Sequence, residues 1–152
     1  MKIAETHQIR NIALVGPTGC GKTSLLESIL FNSGATTRMG KVEEGNTVSD
    51  YSEEEIKRKT SIHGTLVSVE TNDLKINFID TPGSIDFIGE VVSALRVVDC
   101  AMFSVCAISG SGVGTEDFWK LAKDNNIPAF FVVNRMEKDR ADYDKALESL
   151  RN

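Results

Sequence analysis

Short apolar runs alternate with amphipathic stretches along this chain. Ile12-Ala13-Leu14-Val15 is a run of the length of one buried strand. A helix is predicted from about Lys22 to Asn32, with Gly34 just beyond as its C-terminal stop. Residues 35–64 are polar and glycine-bearing, with little apolar periodicity. A segment this long without structure of its own is usually functional or mobile. Thr65 to Glu70 and Leu74 to Asp80 flank the turn-like Asn72-Asp73 and read as a hairpin. One strand of that hairpin is then antiparallel on an otherwise parallel sheet. A helix follows from about Phe87 to Val97, then a strand from Ala101 to Cys106, then a helix from Thr115 to Lys123. Trp119 in that helix reads as a packing residue. Ala129-Phe130-Phe131-Val132-Val133 is a continuous apolar run suited to a strand buried on both faces. A last helix is expected from Ala141 to about Leu150. The alternation predicts a three-layer α/β fold on a mostly parallel sheet of five or six strands. No repeat, low-complexity tract or linker divides residues 1–152, so one domain is expected.

Composition narrows the classes. The 152 residues suffice for one domain with a real core. Hydrophobic residues at 41% and charged residues at 26% are ordinary for a soluble globular chain. A net charge of −5 suggests no nonspecific nucleic-acid binding, and no direct, specific DNA binding is expected. The acidic run Glu53-Glu54-Glu55 and the basic run Lys57-Arg58-Lys59 read together as a solvated or mobile segment. No apolar run is long enough to span a bilayer, and no membrane partner is expected. Met1 to His7 lacks the apolar centre of a signal peptide. Cys20, Cys100 and Cys106 are an odd number without metal-ligand spacing, which points to a reducing, cytoplasmic setting. Cys100 and Cys106 are expected as small core residues. A monomer is expected.

The chemistry begins between the first strand and the first helix. Gly16-Pro17-Thr18-Gly19-Cys20-Gly21-Lys22-Thr23 fits the phosphate-loop pattern G-x-x-x-x-G-K-[ST] at every fixed position. Such a loop aims backbone N–H groups at one point, and the helix start adds its positive dipole end. The expected occupant is a di- or triphosphate. Lys22 would reach its outer phosphates, Thr23 would bind a magnesium ion, and Ser24 would close the first helical turn around it. The loop alone does not separate ATP from GTP. Cys20 sits where a thiol pKa can fall, though a side chain turned away from the ligand is the plainer reading.

Two later motifs extend the site. Ile79-Asp80 ends a strand and runs into Thr81-Pro82-Gly83. An acidic residue there matches the aspartate that positions magnesium in phosphate-loop hydrolases, and the Gly83 N–H could meet the outermost phosphate. Asn134-Arg135-Met136-Glu137 follows the last apolar run and resembles the Asn-Lys-x-Asp loop of guanine-nucleotide proteins. In that loop the carboxylate accepts two hydrogen bonds from the guanine edge, which adenine cannot supply. Glu137 keeps the carboxylate with one methylene more. Arg135 keeps the charge and an apolar stem but is not equivalent to lysine.

The three motifs and the text between them resemble the N-terminal half of the G domain of translation elongation factor G and its relatives. Ile9-Arg10-Asn11-Ile12, residues 26–31 with Ser33-Gly34, and Gly40-Lys41-Val42-Glu43-Glu44-Gly45 carry the resemblance. Asp50-Tyr51, Asn77 to Gly83 and Asp86-Phe87 continue it, and it covers about residues 9–151. It implies a phosphate-loop G-domain fold binding GTP or GDP with magnesium, acting on the ribosome. It implies that residues 35–64 form a first switch, whose magnesium-binding hydroxyl falls on Ser61 or on its neighbour Thr60. Thr23, Ser61 and Asp80 are then the metal set, and Gly83 heads the second switch.

Three departures from the family pattern matter. The family's catalytic histidine follows Asp-Thr-Pro-Gly, and here that place holds Ser84. Lys22 and Ser84 are therefore the residues at catalytic positions, and hydrolysis is expected to be slow or to depend on another group. His63 is expected to be exposed. The guanine loop is altered at Arg135 and Glu137. The Ser-Ala segment that closes over the base is missing after Asn134, so a fragment with a half-built base pocket is expected, its sheet incomplete at the C-terminal end. The leading expectation is a GTPase; a nucleotide-binding switch with little hydrolysis, a phosphate-loop ATPase and a structural remnant are its rivals.

Overall fold

The computed structural model of the chain describes residues 4–151. Five strands form one sheet in the order β2-β3-β1-β4-β5. They are β1 (Ile9–Val15), β2 (Thr65–Thr71), β3 (Leu74–Asp80), β4 (Cys100–Cys106) and β5 (Ala129–Asn134). β3, β1, β4 and β5 run parallel, and β2 pairs antiparallel with β3. The longer helices are α1 (Lys22–Asn32), α3 (Ile88–Leu95), α4 (Val113–Asp124) and α5 (Tyr143–Arg151); α2 (Glu53–Arg58) is a short one.

Period-two alternation along β1 builds two cores. Ala13 and Val15 face a cluster with Val91 and Leu95 of α3, Phe103 of β4 and Phe118 of α4. Leu14 faces the opposite side, with Leu26 and Leu30 of α1 and Phe78 of β3. Helices on both faces of a mostly parallel sheet make the expected three layers. The strand order turns outward in both directions from β1. That reversal is where α/β sheets hold ligands, beyond the carboxyl ends of their strands.

Two expectations change. The run from Ala129 to Val133 is not buried on both faces. β5 is the edge strand, and Phe130 and Phe131 remain 44% and 36% exposed. An apolar run alone cannot tell a central strand from an edge one. Residues 35–64 are also more ordered than their polarity suggests. They hold a 3-10 turn, Val42–Glu44, and α2. The signal for α2 lies in the charge runs themselves. Ser52 and Glu55 form a reciprocal capping box, acids fill the first turn, and Lys57 and Arg58 lie in the last. The charge runs are solvated as expected, except at buried Glu55, and they form a short helix with its dipole complemented.

Two buried glutamates hold that segment. Glu27 of α1 accepts the Gly40 N–H at 2.8 Å and the Val48 N–H at 2.5 Å. Glu55 accepts N–H groups from Ser52, Ile62 and His63 at 3.0–3.1 Å. Burial works against charge on Glu55, but hydrogen bonds from Ile62, Ser52 and His63 outweigh it and hold the carboxyl below its ordinary pKa.

Trp119 packs edge-on against Phe103, ring centroids 5.8 Å apart, with Phe131 5.5 Å away. Phe103 is fully buried at the centre of that group. Phe103→Ala is expected to destabilise the fold by about 3–5 kcal/mol. Urea unfolding followed by Trp119 fluorescence measures this, and a loss below about 1 kcal/mol would contradict the packing described.

Candidate functional site

β1 delivers the chain to residues 16–21, and α1 begins immediately after them. The loop needs its glycines for two reasons. Gly16, Gly19 and Gly21 all adopt positive φ. A Cβ on Gly16 would lie 2.5 Å from the Ser104 carbonyl oxygen, and one on Gly21 would lie 2.5 Å from Asn134 Nδ2. The first turn of α1 carries no side-chain cap. Its backbone N–H groups therefore face the loop without a partner inside the helix, the arrangement that holds anions.

Lys22 is buried and folds back along its own loop. Its Nζ donates to the Gly16 carbonyl at 2.7 Å and to the Pro17 carbonyl at 3.3 Å. Thr18 N–H donates to the Gly83 carbonyl at 3.1 Å, which brings the Asp-Thr-Pro-Gly turn onto the phosphate loop. A Cβ on Gly83 would strike the Thr18 backbone nitrogen and lie 2.6 Å from the Pro17 carbonyl carbon, so this approach requires glycine.

Beside the loop lies a knot of hydroxyls and carboxylates. Thr23 Oγ1 and Ser49 Oγ both donate to Asp80 Oδ2 at 2.9 Å. Ser61 Oγ lies 3.4 Å from Thr23 Oγ1. Asp80 Oδ1 and Asp50 Oδ1 are buried and have no hydrogen-bond partner among the described residues. Burial pushes the Asp80 carboxyl up to about 6, against the pull of Lys22 and the hydrogen bonds from Thr23 and Ser49. Burial raises Asp50 too, opposed by a hydrogen bond from Ser61. Two orphaned carboxylate oxygens beside two hydroxyls are the donor set of a hard divalent cation. No group of three His, Cys, Asp or Glu residues forms a metal site among the described residues. A cation here would take hydroxyls and ligand oxygens as well.

These residues surround a cavity of about 200 Å³, lined by Thr18, Thr23, Ser61 and Gly83 among others. Gly19, Gly21, Lys22, Ser24 and Arg135 also face it, as do Glu43, Asp50, Lys59 and Thr60. The remaining sequence candidates do not line it. Cys20 is buried, and its carbonyl accepts from Ser104 Oγ at 3.0 Å. Thr81 turns inward, its hydroxyl donating to the Leu14 carbonyl at 2.6 Å, and Pro82 follows it, also buried. Asn134 Nδ2 donates to the carbonyls of Cys20 and Gly21 at 3.1 Å, which ties the end of β5 to the phosphate loop. Arg135 follows in a left-handed conformation. Glu137 is at the surface, 3.7 Å from Lys138 Nζ. Ser84 caps the 3-10 turn Ile85–Phe87, its hydroxyl engaged with Asp86, and does not line the cavity. His63 is exposed.

Residues 7–152 match the family described as the elongation factor Tu GTP binding domain. The chain belongs to this family. It is 38% identical to an elongation factor G-like protein of Mycobacterium tuberculosis over 91% of its own length and 20% of that protein's. It is 37% identical to elongation factor G of Granulibacter bethesdensis, over 99% and 22%. It is 39% identical to a mitochondrial ribosome-releasing factor 2 of Debaryomyces hansenii, over 93% and 16%. A crystal structure of a Thermus thermophilus protein superposes with a TM-score of 0.91 at 39% identity, over 95% of this chain and 22% of that one. The chain thus spans about a fifth of the length of the curated relatives it matches. Among the described residues, no helix is long and apolar enough to cross a membrane.

In this GTP-binding-domain fold, Ser49 and Asp50 are site neighbours to which the sequence assigned no site role, although Asp50-Tyr51 is part of the resemblance. Their neighbourhood depends on the path of residues 35–64, which periodicity does not reveal. Asp80 supplies a pH test. A carboxyl whose folded pKa is raised favours the folded state when protonated. Its contribution is fully present below the unfolded value of 3.8 and is lost as pH rises through about 6. Asparagine keeps an oxygen to accept both hydroxyls and removes the buried charge. Asp80→Asn is expected to stabilise the chain, free of nucleotide and metal, by about 1–3 kcal/mol at pH 7.5. It should also flatten the stability profile between pH 4 and 6. Urea unfolding across that range checks both; an unchanged profile would show that Asp80 does not titrate there.

Proposed function

We propose that residues 1–152 form a guanine-nucleotide-binding domain of an elongation-factor-G-like translational GTPase. The observation that carries this reading is the phosphate loop, closed by Gly83 on one side and tied to Asn134 on the other. Backbone N–H groups from Gly19 to Ser24 would hold the phosphates, joined by Thr18 N–H on release from the Gly83 carbonyl, with Lys22 leaving its loop carbonyls for phosphate oxygens. Pro17 and Cys20 shape the loop, and Thr81 and Pro82 place Gly83. Thr23, Ser61 and Asp80 would organise magnesium, with Asp50 beside them. When bound, magnesium neutralises charge on the outer phosphate oxygens. Asn134 would fix the base loop, Arg135 would cover the base, and Glu137 would read the guanine edge after a change of side-chain direction.

The reaction would be attack of water on the outermost phosphorus, breaking its bond to the bridging oxygen. GDP leaves, and the water proton ends on the released phosphate. Lys22 stabilises charge on the transferring group. Ser84 cannot orient the water as an imidazole would, because its hydroxyl is bound to Asp86. This favours a second reading, a nucleotide-dependent switch with little intrinsic hydrolysis. The setting would be cytoplasmic and the chain monomeric, with the ribosome engaged through the intact protein.

Calorimetric titration with GDP, GTP and ATP, each with magnesium, tests the binding reading. Guanine nucleotides are expected to bind and ATP to bind at least about tenfold more weakly. Lys22→Ala is expected to abolish the heat of binding. Equal affinity for ATP, or no binding at all, would refute the assignment. Ser84→His in the full-length protein is expected to raise ribosome-stimulated hydrolysis, and no gain would count against the role given to this position.

A further inference from the structure

Among the described residues, four other than glycine adopt positive φ: Lys59, Asn72, Asn126 and Arg135. Asparagine tolerates this conformation in turns, so Asn72 and Asn126 need no further account. The other two are cations, and both line the phosphate-loop cavity. Lys59 is the left-handed C-terminal cap of α2, a position where glycine is the unstrained choice. Its N–H donates to the Glu55 carbonyl. No side-chain hydrogen bond or ion pair engages its ammonium among the described residues, whereas Arg58 beside it pairs with Glu54. A strained residue with an uncommitted charge, facing a site for a polyanion, is a candidate for function.

When residues 35–64 are docked, hydrogen bonds fix the chain beside Lys59. Glu55 accepts the N–H groups of Ile62 and His63 just after it, and Ser61 lies at Thr23. Lys59 therefore enters the cavity from the side of residues 35–64. The same cavity is lined by Gly83 and by Thr23, whose hydroxyl Ser61 approaches, so residues 59–61 stand with the groups assigned above to the metal and the outermost phosphate. Charge balance supports the same role. Cations lining the cavity are Lys22, Lys59 and Arg135, and the anions are Glu43 and Asp50. Without Lys59 the two signs among these side chains are equal in number, so Lys59 adds to Lys22 and a bound magnesium in offsetting the charge of a third phosphate.

We propose that Lys59 is a phosphate-binding residue that contacts the outermost phosphate of a nucleoside triphosphate and so favours triphosphate over diphosphate. This rests on the nucleotide-binding reading above. A lysine here supplies a mobile point charge, which suits a phosphate present in one ligand and absent from the other.

Lys59→Gly separates this role from a structural one. Glycine relieves the left-handed strain, so the melting temperature of the ligand-free chain is expected to rise. GTP affinity, measured through a slowly hydrolysed analogue by calorimetry, is expected to fall about ten- to hundredfold. GDP affinity should stay at its parent value. Lys59→Arg should retain the preference for triphosphate. Equal loss of both affinities, no loss of either, or a lowered melting temperature accompanying the loss would overturn the proposal. Failure of the parent chain to bind GDP would instead refute the nucleotide-binding reading, and this inference with it.

Discussion

The structure turns on one buried carboxylate. Asp80 ends β3 beside the central strand, in register with Leu14, and takes hydroxyls from Thr23 of α1 and Ser49 of the long segment. Three parts of the chain that are distant in sequence meet at a single oxygen. Its second oxygen is buried without a partner among the described residues, and burial raises its pKa to about 6. An anion left half-satisfied in the interior is costly unless something positive completes it. The group that joins the segments is therefore also where a proton or a cation would be favoured. Stability without a ligand and readiness for one are opposed at this position.

The rest of the site is built from two kinds of attachment. Asn134 fastens the loop to β5 through neutral amide–carbonyl bonds, and Gly21 leaves room for it. Residues 35–64 are held differently. Their anchors are the carboxylates of Glu27 and Glu55, which take backbone N–H groups that would otherwise lack partners in the interior. Little apolar burial accompanies these bonds, since Met39, Val48, Tyr51 and Ile56 remain exposed. A segment with few buried apolar contacts is the part of a domain expected to open first.

Much of this was legible in the residues. The phosphate loop, the hairpin that adds β2 antiparallel, and the alternation of Ala13, Leu14 and Val15 across the sheet all follow from local pattern. Family membership was legible too, because it rests on spaced motifs. Two things were not. The apolar run of β5 looks central because sequence records hydrophobicity and not which strand lies alongside. Glu27 and Asp50 lie in stretches that carry the resemblance, but their roles, like that of Ser49, come from the path of residues 35–64 across α1 and could not be read. The capping box at Ser52 and Glu55 was readable in principle, but adjacent opposite charges hid it.

These attachments differ in what they can sense. The loop and the end of β5 move as one body, because the amide of Asn134 is bound to two loop carbonyls and its own oxygen accepts the Arg135 N–H. A ligand group contacting that body is held wherever the long segment lies. A ligand group at the other end of the cavity meets Ser61, Thr60 and Lys59, all carried by the segment with the least apolar anchorage. Binding energy at the first end supplies affinity. Binding energy at the second end is coupled to whether residues 35–64 are docked, because contact there requires the docked form. A ligand that reached both Thr23 and Ser61 would thus meet a tight hold and a conditional one, joined at Asp80.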